Sequence, residues 1–456
     1  MENQNNIKPV VSIVKTAPSY EELSRNGAMK NALLDLLGGL NLSKQNPFGE
    51  YVKAGQTVLI KPNWVREANP LGYDLDSLIT HTVLIKEVIN LLAIALGNRG
   101  KIVMADAPLQ KCNFEILRQR AGIDDMLKEM KLAYPNISFV IEDWRITTLN
   151  DVHSKDKEPQ KIKNDVSDSY VVYDLGKESF LEEISEYADR FRVTDYKPSL
   201  MRKHHGPGKH EYAITKRVFD VDFIINLPKM KTHMKTGITC AMKNLVGING
   251  HKEFLPHHIK GSFLEGGDCY MAYNPLRKLY ENLYDYMWEN LNFLSVWKRK
   301  ILIKVMRYLL LFSRIGKENI QAGSWRGNDT IWRTVIDLNH ILYFHSKKQR
   351  KVLNIVDGII AGEKQGPLSP TPKPIGILIA GENPAYIDAV AAKMMGYNIF
   401  RIPMIYNAIY SRRSKFGGVF LEDLPISFFS ENKREPVHFN DITNYNFQKP
   451  NYWEGV

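Results

Sequence analysis

The chain has 456 residues, 44% hydrophobic and 24% charged, a globular composition that is long enough for a large core or two lobes and excludes wholesale disorder. The formal charge is +11, yet residues 201–260 (eleven Lys/Arg, four Asp/Glu) and 295–315 (six Lys/Arg, no acid) together exceed it, so two local anionic contacts are expected and no specific nucleic-acid partner. Cys112, Cys240 and Cys269 are far apart with no CxxC pair, which argues against a zinc ribbon, a cysteine-held iron–sulfur cluster and a disulfide framework.

In chain order, Val10–Lys15 reads as a first strand. The segment SYEELSRNGAMKNALLDLLGGL reads as one helix with Ser19 at its N-cap. QTVLIKPN (Gln56–Asn63) is a continuous apolar run stopped by proline, the pattern of a strand buried on both faces. THTVLIKEVINLLAIALGNRG reads as a helix capped by Thr80, KIVMADAP as a buried strand, NFEILRQRAGIDDMLKEM as a helix and ISFVIED as a strand. Residues 151–172 read as a loop or peripheral hairpin. VFDVDFIINLPK resumes the core, and VLNIVDGIIAG, IGILIAGENP and AYIDAVAAKMMG follow as strand, strand and helix. The fold class predicted is α/β, a mainly parallel sheet with helices on both faces, plus a helical insertion. Residues 1–274 and 346–456 are assigned to the core domain, and the basic, aromatic residues 275–345 to the insertion.

Within that insertion Ile301–Phe312 is apolar but interrupted by Lys304 and Arg307, too short to span a bilayer. Lys300, Lys304, Arg307 and Arg314 fall on one helical face. The segment fits either a packed helix with a solvated basic edge or a helix lying on an anionic membrane surface through residues 295–315. The N-terminus MENQNNIKPVVSIVK lacks a secretory pattern. A cytoplasmic location is expected, with peripheral membrane attachment as an extension of it.

Ligands of open α/β sheets bind at the carboxyl ends of strands. Four strands here end in polar residues: Lys61-Pro62-Asn63, Asp106-Ala107-Pro108, Asn226-Leu227-Pro228-Lys229 and Asp357-Gly358. After Pro228 a loop is expected, then a helix from about Thr239 whose N-terminal amides, with Lys229, Lys231, Lys235 and Lys243, would trap an anion. His81 and His233 are candidate acid–base residues, and neighbouring cations would favour a neutral His233. Asp106 would orient one of them. Asp388 reads as a dipole-stabilised carboxylate or a catalytic one. Cys240, at the expected helix start among cations, is a candidate low-pKa thiol. No HExxH, Walker A, GxGxxG or GxSxG motif occurs.

VLIKPNWV, MADAP, INLPKMKTHMKTGITCAMKNLVGI with Lys252 and His257/His258 downstream, VDGIIAGEKQGP and ENPAYIDAVAAKMMG resemble, in order, the family called domain of unknown function 362. The resemblance runs from about Val10 to Gly396 apart from the insertion, and GSWRGNDTIWRTVIDLNHIL resembles a segment found in a subset of that family. Many members are described as iron–sulfur proteins with a cysteine-rich ferredoxin-type segment, and this sequence has none.

The reading is therefore an enzyme that binds a phosphorylated or carboxylated small molecule through Lys61, Asn63, Asn226, Lys229, Lys231, Lys235, Lys243 and Asn244, with His81, His233 and Asp106 as its catalytic set. The alternatives are a non-catalytic anion-binding or membrane-peripheral protein, and a metal-dependent or redox protein like the iron–sulfur relatives. The cofactor is left unassigned, with a divalent metal kept open.

Overall fold

The computed structural model describes residues 7–148, 162–163, 169–314, 320–345, 350–431 and 433–456. The segment 151–172 read as a loop or hairpin falls mainly outside them. The described chain packs as two compact units. The first takes the chain up to Trp144, Lys216–Ile248 and everything from Asn339; the second takes Arg145–Thr215 and Asn249–Leu338.

The first unit is built on one eleven-stranded sheet: β1 (Val11–Lys15), β2 (Thr57–Pro62), β3 (Gly100–Asp106), β4 (Ile137–Asp143), β5 (Phe223–Leu227), β6 (Lys229–His233), β7 (Gly237–Thr239), β8 (Lys351–Gln365), β9 (Ser369–Gly381), β10 (Ile426–Ser430) and β11 (Lys433–Pro436). Its order is β11-β10-β1-β9-β8-β5-β2-β3-β4, with β6 pairing β8 and β7. Strands β8, β5, β2, β3 and β4 run parallel in unbroken succession. The long hairpin β8–β9 and the pair β1–β9 are antiparallel. The class is α/β with a mainly parallel mixed sheet.

The apolar runs explain the burial. Val58, Leu59 and Ile60 are all inaccessible, as is every residue of β5. One face of the sheet, with Val58, Ile60, Ile102, Phe223 and Ile225, packs on Leu33, Leu36, Leu84, Ile85 and Val88 from the helices Ala28–Gly38 and Thr82–Ala95. Each such side chain contributes roughly 1.5–3 kcal/mol.

Two expected single helices are broken. Ser19 caps only Tyr20–Leu23, because Asn26 and Gly27 adopt left-handed backbone (φ 50° and 70°) before Ala28–Gly38 begins. Gly122 (φ 66°) likewise divides Phe114–Arg120 from Ile123–Ala133. The cap of Thr82–Ala95 is His81, not Thr80. The expected loop after Pro228 is the hairpin β6–β7, with Lys231 opposite Thr239 and His233 opposite Gly237.

In the second unit, the pair of helices Pro275–Glu289 and Val296–Arg314 packs around Met287, Trp288 and Met306. Polar contacts tie residues 170–215 to the helix Ile331–Phe344 and to Pro275–Glu289. Asp337 accepts from Phe180 N at 2.8 Å and from the Tyr212 hydroxyl at 2.7 Å, and Arg192 makes a forked bond to Asp285 at 3.1 and 3.0 Å. Among the described residues no helix is long and apolar enough to cross a membrane.

Candidate functional site

The parallel register decides which strand-end residues meet. Asn226 on β5 lies opposite Lys61 on β2 and Asn354 on β8, so the two-residue period of a strand places all three on one face. None is accessible. Asn226 Nδ2 donates to Asn354 Oδ1 at 2.8 Å and its Oδ1 accepts from Asn244 Nδ2 at 2.7 Å. Asn244 also reaches back to Lys61 O (3.2 Å) and accepts from Asn63 Nδ2 (2.9 Å). Lys61 Nζ ends the chain, 2.7 Å from Asp106 Oδ1 and donating to Pro62 O at 2.8 Å. Burial lowers the Lys61 pKa and Asp106 opposes that shift. Gly247 closes over the pair: a Cβ there would lie 2.1 Å from Asp106 Oδ1.

Asp106 does not serve a histidine in this arrangement. Besides Lys61 it accepts from Trp64 N and Ala107 N, both at 2.7 Å. Its place is a structural ion pair at the end of β3.

A second buried network forms around Asp357 of β8. Lys229 Nζ lies 2.8 Å from its Oδ2, the Tyr20 hydroxyl donates to Oδ1 at 2.5 Å, and His81 N donates to Oδ2 at 3.0 Å. Lys229 also donates to the Tyr20 oxygen at 2.6 Å. Both members of the ion pair are inaccessible. Burial lowers the Lys229 pKa, against Asp357, and raises that of Tyr20. The Tyr20 and His81 rings stack with centroids 3.8 Å apart.

His81 is held by its own helix. Its Nδ1 accepts from Val83 N at 3.1 Å, so the neutral ring carries its proton on Nε2. Burial lowers its pKa first and Lys229 lowers it too, while Asp76 and Asp357 raise it. Nε2 lies 3.6 Å from Asp76 Oδ1, longer than a hydrogen bond. Both residues line a cavity of about 500 Å³, with Glu67, Asp74, Thr80 and Arg120 also on its wall. His233 is fixed in a separate turn, Nδ1 accepting from Lys235 N (3.0 Å) and Thr236 N (3.2 Å).

The remaining lysines differ among themselves. Lys231 is inaccessible and donates to Leu78 O at 2.6 Å. Among the described residues it has no carboxylate within ion-pair distance. Its pKa falls well below the ordinary lysine range, through burial and then through Lys229 and Lys243, with Asp106 a smaller opposing influence. Lys235 and Lys243 are half-buried.

The expected helix N-terminus is not an anion trap. The helix is only Ala241–Asn244, and Ala241 N and Met242 N donate to the Asp388 carboxylate at 2.6 and 3.2 Å. The protein supplies its own anion there. Burial pushes Asp388 up to about 7, against the two amides and Cys240. The Cys240 thiol, expected to have a low pKa, is instead pushed well up by burial and by Asp388. All three cysteines are buried, and among the described residues no group of three or more His, Cys, Asp and Glu side chains is gathered for a metal ion.

Sequence reasoning placed Asp357 at a strand end without assigning it a role, and it passed over Tyr20, Asp76 and Asn354. The signal for Asp357 was present, an acid inside an apolar run, but it is not a strand end: β8 continues past it to Gln365, with Ile359 and Ala361 also buried, because the hairpin with β9 carries the ladder on. Nothing around Tyr20 marks it, because its partners lie more than 60 residues away along the chain.

The family model for a domain of unknown function (DUF362) matches residues 163–393, half of the chain. A crystal structure of a protein from Thermotoga maritima, a Northeast Structural Genomics Consortium target, is similar over 83% of this chain and 60% of its own, with 11% identity and a TM-score of 0.35. This chain thus spans less than two thirds of that protein's length. No curated protein matches.

Proposed function

We propose, since the chain belongs to the domain of unknown function (DUF362) family, that it is an enzyme acting on a small carbonyl compound that carries one carboxylate or phosphate, and that it moves a proton next to that carbonyl. The observation that carries the reading is His81: a neutral imidazole with Nδ1 committed to Val83 N and Nε2–H turned to a polar cavity beside a carboxylate. A neutral ring held this way is a hydrogen-bond donor to a carbonyl oxygen as negative charge develops there. Asp76 is the group placed to take the proton.

Charge supports the substrate class. Lys61 and Lys229 are matched by Asp106 and Asp357. Lys231 is buried as well, and burial together with Lys229 and Lys243 lowers its pKa well below the ordinary lysine range, so it adds no standing charge. Arg120 on the cavity wall is the contact for the anionic end. Glu67 and Asp74 on the same wall oppose a second negative group, so a doubly phosphorylated ligand fits poorly.

The test is a thermal-shift screen with 2-oxo acids and singly phosphorylated sugars, followed by deuterium exchange at the adjacent carbon read by NMR. A ligand at a hundred times its Kd adds roughly 2.7 kcal/mol. We expect one of these compounds to stabilise the protein and exchange its proton, and His81→Gln to bind it but lose the exchange. Exchange that persists in His81→Gln, or no shift with any compound of the class at millimolar concentration, overturns the proposal.

A further inference from the structure

The helix Val296–Arg314 carries an apolar stripe on the side away from its packing. Met306 and Arg299 are buried, and Leu302 and Ile303 pack on the cluster with Met287 and Trp288 of the preceding helix. Trp297, Ile301, Val305, Tyr308 and Phe312 recur every three or four residues and are 60%, 54%, 42%, 51% and 57% exposed. In the turn before the helix, Phe293 is 86% exposed. A water-facing helix side is ordinarily polar. Scattered exposed leucines need no explanation, but a continuous large apolar stripe marks an interaction surface.

Charge identifies the partner. Lys300, Lys304 and Arg307 are exposed on the same helix, and residues 295–315 contain no acid. The Arg314 side chain lies outside those described. An apolar stripe edged only by cations suits the boundary between headgroups and acyl chains of an anionic bilayer, where lysine and arginine stems extend to the headgroups. A second copy of this helix is a poor partner, since it would set cations against cations.

The geometry points to this helix as a membrane-surface anchor that lies in the plane of an anionic lipid leaflet, with Trp297, Ile301, Val305, Tyr308 and Phe312 inserted and Lys300, Lys304 and Arg307 on the headgroups. The inference rests on the second unit alone and is independent of the chemistry proposed at His81.

The experiment is co-sedimentation of the full chain with phosphatidylcholine vesicles and with vesicles of phosphatidylcholine and phosphatidylglycerol at low salt. Binding to the anionic vesicles only is expected. Lys300→Gln/Lys304→Gln/Arg307→Gln should weaken partitioning about a hundredfold, near fivefold per cation, and Trp297→Ser/Ile301→Ser/Phe312→Ser should abolish it. These side chains are exposed, so both variants should keep the wild-type circular dichroism and melting temperature. Failure to sediment, equal binding to neutral vesicles, or a dimer by light scattering that the serine variant splits would each overturn the anchor.

Discussion

Removal of the Asp357 carboxylate tests whether the second network is held as its distances imply. Asp357→Ala leaves the Lys229 ammonium buried without its counter-ion, and it deprives the Tyr20 hydroxyl and the His81 amide of their acceptor. Breaking a buried pair by deleting one partner costs about 3–5 kcal/mol, and each orphaned buried donor adds about 1–3 kcal/mol. Lys229 recovers part of this by losing its proton, since burial already lowers its pKa. A net loss of at least about 4 kcal/mol at pH 7 is expected. The double variant Lys229→Met/Asp357→Leu removes both charges and should be more stable than Asp357→Ala by about 2 kcal/mol or more, a coupling that additivity would not give. Urea unfolding followed by tryptophan fluorescence measures both. The sign with pH is fixed as well: a lysine whose folded pKa is depressed binds fewer protons folded than unfolded, so stability rises with pH toward the unfolded value near 10.4. The Asp357→Ala deficit should narrow between pH 7 and 10. A cost below about 1.5 kcal/mol, or a double variant as unstable as the two single losses added together, would show that Asp357 does not hold this network.

Gly247→Ala should cost at least about 2 kcal/mol, because the new methyl would stand 2.1 Å from Asp106 Oδ1 and 2.9 Å from Lys61 Nζ. Gly206→Ala, where an added Cβ meets nothing within 4 Å, should stay within about 0.5 kcal/mol, and thermal melts compare the two. Asp388, pushed up to about 7 when folded, titrates near 3.9 unfolded. Between those values the folded state holds the proton and the unfolded state does not, so its contribution falls as pH rises from about 4 to 7 and is flat above. The whole span is at most about 4 kcal/mol. The melting temperature of Asp388→Asn should therefore rise relative to that of the wild type between about pH 4 and 7 and hold a constant difference above, and parallel curves would show that Asp388 keeps its proton affinity on folding.

Much of the candidate site was legible in the sequence because local rules reach it. Continuous apolar runs marked the buried strands, prolines marked where they stop, and the polar residues placed at those stops include Lys61, Asn63, Asp106, Asn226 and Lys229. The break between Tyr20–Leu23 and Ala28–Gly38 was also written locally, in Asn26-Gly27, although overall helical periodicity hid it. What the sequence could not supply was which charge meets which. Lys229 and Asp357 are 128 residues apart, and they meet because β6 pairs β8, with Lys229 opposite Asp357. Tyr20 joins them from a four-residue helix near the start of the chain. Of the lysines that read as an open basic loop, Lys229 and Lys231 are inaccessible and Lys229 joins the Asp357 network, since β6 enters the sheet and water leaves, while Lys235 and Lys243 stay half-buried. A run of residues fixes its own period and its own stops; the neighbours of a strand, and so the partner of every buried charge on it, are decided by tertiary register alone.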